Sequence, residues 1–201
     1  MYAIGRFTQF LKFSTFHDGQ SLNHGEHGWE LLLELRVLSA LIRDEQTCIL
    51  EAVRHHNAEA LPDCLQDKSL RMARLIRDAD KLDIFHIVHE ALVCDGFQDL
   101  PRMLPQVELE GAINPTLVDQ LRRDRVCSFS EVKSLKDFLL LQLSWVYDIN
   151  YVPTFQQVVQ RNILSRIAER LPRTDREIDH LLSDAEHYVA NQINDNKGDK
   201  S

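Results

Sequence analysis

Between residues 68 and 93 the apolar positions return at helical rather than alternating spacing. At about 100° per residue, Met72, Leu75, Ile76, Ala79, Leu82, Ile84 and Ile87 fall on one broad arc. The pattern predicts a long helix from about Lys68 to Val93, stopped near Asp95-Gly96. Asp83 projects near the middle of the apolar arc and Asp80 toward one side, while Asp78, Arg74 and Lys81 face the other way. An ionised carboxylate in apolar surroundings is costly unless it is paired, hydrogen-bonded or bound to a metal. Asp80 and Asp83 therefore mark the helix as one wall of a site.

The same period recurs along the chain. The first twenty-odd residues, with Phe7, Phe10, Phe13 and Phe16 between Gly5 and Gly19, read as a packed irregular segment. Asn23 and Glu26 form a capping-box pattern that starts a helix at His24, with Trp29 to Ile42 as its apolar body. A further helix is expected over about Gln46 to Asn57, ended before Pro62. Three prolines and two glycines between Gly96 and Pro115 indicate a loop-rich connection. Asn114-Pro115 then caps a short helix through Arg125. Ser128 and Glu131 are expected to cap the helix that carries Phe138 to Ile149. Pro153 separates that from a helix over Thr154 to Arg170, and Thr174 with Glu177 caps a last helix ending near Ile193. With every element at period 3.6 and none at period 2, the expected fold is all-α with about seven helices.

Composition narrows the class. Charged residues make up 27% of the 201 and apolar ones 44%, the balance of an ordered chain long enough to bury a core. The expectation is one domain over about residues 1–193, a candidate metal-site half at 1–95 and C-terminal helices at 115–193, with 194–201 a disordered tail. The net charge of -8 argues against nucleic-acid backbone binding or an anionic membrane as main partner, since both need a basic footprint. No apolar run is long enough to cross a bilayer. Cys48, Cys64, Cys94 and Cys127 form no C-x-x-C pair, which with no signal-peptide pattern favours a cytoplasmic location.

Seven of the nine histidines precede residue 90, in the part of the chain that holds the carboxylate-rich helix. His24 at a helix start, His55 or His56 at a helix end and Asp80 on a third helix can converge if consecutive helices pack antiparallel. Neutral imidazoles with a carboxylate suit Mn, Fe, Ni, Co or Zn, and Mg remains a further candidate. His86, His89 and Glu90 make a second cluster, for which a structural role is expected, with His86 on the core side. Trp29 and Trp145 are expected in the core, and Arg122, Arg123 and Arg125 on a solvated face.

The strings Ile4-Gly5-Arg6-Phe7, Thr15-Phe16-His17-Asp18, Ser21-Leu22-Asn23-His24-Gly25-Glu26-His27-Gly28, Val53-Arg54-His55-His56-Asn57 and Arg77-Asp78-Ala79-Asp80-Lys81-Leu82-Asp83 resemble, in order and spacing, the HD-domain superfamily of metal-dependent phosphohydrolases. The resemblance covers roughly residues 1 to 90, with a weaker likeness at Ser144-Trp145-Val146-Tyr147-Asp148. It implies an orthogonal helical bundle and a divalent-metal site in which Asp80 matches the late metal-binding Asp, and His24 and His56 match auxiliary histidines. It prefers His56 to His55. Arg77 and Asp83 follow as supporting or phosphate-neutralising groups, with His55 and His27 beside them; Lys81 is a candidate phosphate contact. The implied substrate is a small phosphorylated molecule or a nucleotide. Where the family carries a His-Asp pair before Ile-Gly-Arg-Phe, this sequence has Tyr2-Ala3, and the family's early helix has no counterpart. A truncated or degenerate member with impaired catalysis is therefore expected. His17, Asp18 and His27 are the nearby candidates to compensate. The alternative is a non-catalytic helical module that binds a phosphorylated ligand or a protein partner, with a homodimer as one form.

Overall fold

A computed structural model describes residues 3–94, 104, 107–173 and 175–198. Among these the fold is all-α: nine helices and, in place of any sheet, a single isolated bridge between Glu108 and Ser134. The described residues form two compact units whose boundary falls inside one helix, between Asp80 and Lys81; Leu104 belongs to the first.

The first unit contains α1 (Ile4–Phe13), α2 (His24–Glu34), α3 (Arg43–His55) and the opening turns of α4 (Asp67–Cys94). Of the first twenty-odd residues, expected to be irregular, Ile4–Phe13 is thus a helix, and an irregular stretch with one 3-10 turn follows it. Helix α1 packs on α2 because Gly5 has no side chain: a Cβ there would run into the backbone carbonyl of His24. Asn23 caps α2 as expected, its Oδ1 accepting from the amides of Gly25 and Glu26 at 2.9 and 3.1 Å. The helix ends at Glu34, well short of Ile42, and Arg36 follows in the left-handed region at φ 50°. The interior of this unit is unusually polar. Beside Leu32, Leu38, Ala52, Val53 and Ala73 it buries Gln9, His24, His56, Arg77 and Asp78.

The second unit contains the remainder of α4, α5 (Pro115–Asp124), α6 (Leu135–Ser144), α7 (Val152–Gln160), α8 (Ile163–Arg170) and α9 (Arg176–Gly198). Its core is apolar, built from Phe85, Leu117, Leu139, Leu143, Phe155, Ile178 and Leu182 among others. Asn114 caps α5 with Pro115 at the first position, as the sequence indicates. The cap of α6 is Ser134 with Asp137, in a reciprocal capping box, whereas Ser128 only opens a 3-10 turn. Pro153 lies inside the first turn of α7, where its missing N–H costs nothing. The expected single helix over Thr154 to Arg170 is instead split at Asn162, at φ 53°. Thr174 lies outside the described residues, as does half of the connection expected between Gly96 and Pro115. Helix α9 continues past Ile193 to Gly198, into the stretch expected as a tail.

Helix α4 is present over nearly its expected length, but it faces the other way. Its buried positions are Ser69, Ala73, Arg77, Asp78, Lys81, Phe85, Val88 and His89. Leu75 and Ile87, expected inward, are 54% and 55% exposed, and Asp83 is exposed. Arg77 and Lys81 tolerate burial because each finds oxygen acceptors. Arg77 donates through NH1 to the carbonyls of His56, at 3.2 Å, and Ala58. Lys81 Nζ lies 2.6 Å from Asp148 Oδ2.

Candidate metal centre

The centre of the first unit is a pair of buried imidazoles, His24 at the first turn of α2 and His56 just past the end of α3, 1% and 3% exposed. Their Nε2 atoms are 3.0 Å apart with ring planes inclined at 78°. Each Nδ1 is already committed. His24 Nδ1 lies 2.8 Å from Asp18 Oδ2, and His56 Nδ1 lies 2.7 Å from the carbonyl oxygen of Val53. Both oxygens only accept, so each Nδ1 donates, and a ring in its neutral form keeps its lone pair on Nε2; Asn57 Nδ2 lies a further 3.3 Å from His24 Nδ1. Two lone pairs pointed at each other at 3.0 Å repel unless a positive centre, a shared proton or a cation, stands between them.

Asp18 organises the outer layer. Its Oδ1 accepts from Gln9 Nε2 at 2.8 Å, and its Oδ2 accepts from Asn57 Nδ2 at 2.7 Å; Arg6 NH1 is 3.5 Å from Oδ1. Burial alone would raise the Asp18 carboxyl. The hydrogen bond and charge of His24, then Arg6 and Gln9, outweigh it and hold the group below its usual 3.8. Gln9 is itself fully buried and spans from Asp18 to Ser21 Oγ and the Leu22 carbonyl, at 2.9 and 3.0 Å. Burial is also the largest influence on His56: it pushes the imidazole down to about 4, with the charges on His24 and Arg6 adding to it against the Val53 hydrogen bond. His56 is therefore neutral and able to donate a lone pair at ordinary pH.

The donor chemistry fits a borderline divalent ion. Nitrogens each about 2.1 Å from a shared ion can be no more than about 4.2 Å apart, and the 3.0 Å separation lies within that limit. A carboxylate on one Nδ1 and a backbone carbonyl on the other are the partners that fix tautomer and ring direction in histidines that ligate metals. Two nitrogens are a partial set. Among the described residues no group of three or more His, Cys, Asp or Glu side chains is placed to hold a metal ion. Asp80 is half-buried and does not join the two histidines in such a group.

The remaining expected site residues are dispersed. His55 turns toward Glu51, with 3.3 Å from Nε2 to Oε2, so the choice between the adjacent histidines falls on His56. His27 Nδ1 lies 3.3 Å from Glu30 Oε2 on the same helix. Arg77 supports His56 through its backbone carbonyl, and Lys81, in the second unit, is engaged with Asp148. Asp83 is exposed, and the position corresponding to Tyr2 lies outside the described residues. In the second cluster His86, expected on the core side, is exposed, and His89 is buried. Gln9 and Asn57 carry no signal of their own: an amide is informative only once its partners are known. Asp18 stands in the sequence only as one of three nearby candidates to compensate, with His17 and His27, and nothing local ties it to His24.

No protein-family model, no curated protein and no solved structure matches the chain.

Proposed function

We propose that the first unit binds a divalent cation through His24 Nε2 and His56 Nε2, and that the chain is an HD-domain-like phosphohydrolase acting on a phosphate ester or nucleotide. Its catalysis is weakened by the missing His-Asp pair. The observation that carries the reading is the facing of two Nε2 atoms at 3.0 Å, each on a ring whose Nδ1 already meets an acceptor oxygen. The order of motifs that resembles the superfamily supplies the reaction class. A bound cation would supply polarisation of a phosphoryl oxygen. The chain's own residues do the rest: Asp18 orients His24, the Val53 carbonyl orients His56, and Gln9 and Asn57 hold Asp18 in place.

The test is metal content after purification without chelator, combined with hydrolysis of a generic phosphomonoester and of nucleotides in the presence of manganese. Bound metal that is lost in both His24→Ala and His56→Ala, with slow hydrolysis that follows it, supports the proposal. Folded, metal-free protein that takes up no ion and cleaves nothing refutes it.

A second reading, a non-catalytic module that engages a protein partner or a second copy of itself, is favoured by one observation. Among the described residues, large exposed apolar side chains concentrate in the first unit, with Phe7 73% and Leu11 84% exposed one turn apart on α1. Exposed apolar patches of this kind mark interaction sites. Light scattering of the wild type against Leu11→Glu separates the readings: self-association abolished by the substitution supports this one, and a monomer in both disfavours the homodimer. No described helix is long and apolar enough to cross a membrane.

A further inference from the structure

The second unit contains a cleft of about 190 Å³ that the metal centre does not involve. Its walls come from the second half of α4 and from the junction of α7 with α8. The turn at Asn162, in the left-handed region, lies between Arg161 and Arg166 in sequence and carries both to the cleft, with Ile163 between them and Phe85 on the α4 side.

The donors here have too few acceptors. Among the described residues His89, 7% exposed, makes no hydrogen bond, and its buried Nε2 has no partner. The guanidinium of half-buried Arg166 makes no ion pair or side-chain hydrogen bond among the described residues. Arg161, exposed at the cleft, bonds through Nε to Gln157 Oε1 at 3.0 Å, and among the described residues its two terminal nitrogens make no further hydrogen bond. A buried polar group normally finds a partner in the protein or in what the protein binds. Two free guanidinium forks and an imidazole on one concavity are the donor set of an oxyanion site.

We propose that this cleft binds a small oxyanion, a carboxylate or a phosphate, held by Arg166 and Arg161 beside His89, with the non-polar part of the molecule against Phe85 and Ile163. Glu90 lines the same cleft and bears the opposite charge, and Glu169 acts on His89 from α8. Both limit how much negative charge the site accepts. His86, exposed at the rim, completes the lining. Burial, with the charge on Arg166, lowers His89 below its usual value, which favours the neutral ring over a third cation.

The test uses the full chain with chelator present, so that the first unit carries no metal. Inorganic phosphate and, separately, acetate are titrated against sodium chloride at matched ionic strength while the ring ¹H–¹⁵N signals of His89 are followed, assigned with His89→Gln. A saturable shift with phosphate, acetate or both is expected, and the two titrations identify which oxyanion the cleft prefers. Loss of one charge-assisted contact should weaken binding about tenfold or more in Arg166→Gln, and Glu90→Gln should tighten it. Arg161→Gln provides the same readout from an exposed position if Arg166→Gln does not fold. Shifts that grow without saturation as they do in chloride, or saturable shifts unaltered by both arginine substitutions, would overturn the proposal.

Discussion

His24 Nε2 and His56 Nε2 face each other at 3.0 Å from the start of one helix and the end of another, each with its Nδ1 bound to an oxygen that can only accept. A set of buried and half-buried polar groups in the first unit supports that relationship. Gln9 and Asn57 fix Asp18, Asp18 fixes His24, and Arg77 fixes the backbone of His56.

The first prediction concerns Asp18. Asp18→Asn keeps the shape but removes the charge and offers the wrong group to one or more of the donors that converge on it. Manganese or zinc affinity, measured by calorimetry, should fall about 10- to 100-fold, the usual effect of losing the partner of a ligating histidine. Unchanged affinity would show that Asp18 does not set the tautomer of His24.

A pH dependence follows from His56. Unfolded, its imidazole takes up a proton near 6.5; folded, it does so only near 4. Between those values the unfolded chain binds more protons, so stability is fully present above pH 6.5 and is lost as the pH falls toward 4, by on the order of 3 kcal/mol. Asp18 acts in the same direction at lower pH: its lowered carboxyl stabilises the fold above 3.8, and that contribution disappears on further acidification. Urea midpoints of the chelator-treated protein across this window should fall steeply, and His56→Asn should flatten the slope between 6.5 and 4.

Arg77 should matter through backbone rather than through charge at a ligand. In Arg77→Met the carbonyls of His56 and Ala58 lose this donor in a buried setting, a cost of about 2–4 kcal/mol. Because one of those carbonyls belongs to His56, metal affinity should decline with stability. A variant that loses stability but binds metal as before would place Arg77 outside the site's support.

Two glycines carry a steric prediction. A Cβ at Gly5 meets the His24 carbonyl, and one at Gly25 meets Asn57 Oδ1 and lies 2.8 Å from the carbonyl of Arg54. Gly5→Ala must push α1 away from α2, since the obstruction is backbone. Overpacking of that kind costs about 1–3 kcal/mol. Gly25→Ala displaces Asn57 from Asp18 and should weaken metal binding along with stability. Thermal melts of the two variants, with and without manganese, check both.

Much of the fold was legible because helices advertise themselves locally. The period along residues 67–94, the Asn23 cap and the Asn114-Pro115 start depend on residues within a few positions of one another, and all three are present. Where local signals competed, the structure chose. Ser128 with Glu131 reads as the cap, but the helix starts at Ser134 with Asp137, whose carboxylate also reaches the amides of Asn114 and Lys133, at 2.7 and 3.1 Å. Pro153 reads as a break, yet at the start of a helix proline has no bond to lose.

The sequence by itself determined an all-α chain and brought His24 and His56 forward as a pair. Period, caps and the order of motifs are properties of neighbours along the chain. Only the tertiary structure decided which imidazole of His55-His56 turns inward, since adjacent helical side chains diverge by about 100°. It also decided that α4 buries Arg77 and Lys81 in place of Leu75 and Ile87, because distant carbonyls and Asp148 were there to receive them. The same holds for Asp18, brought to His24 Nδ1 from the loop between α1 and α2: a carboxylate acts as an orienting group only when folding has delivered a donor to it.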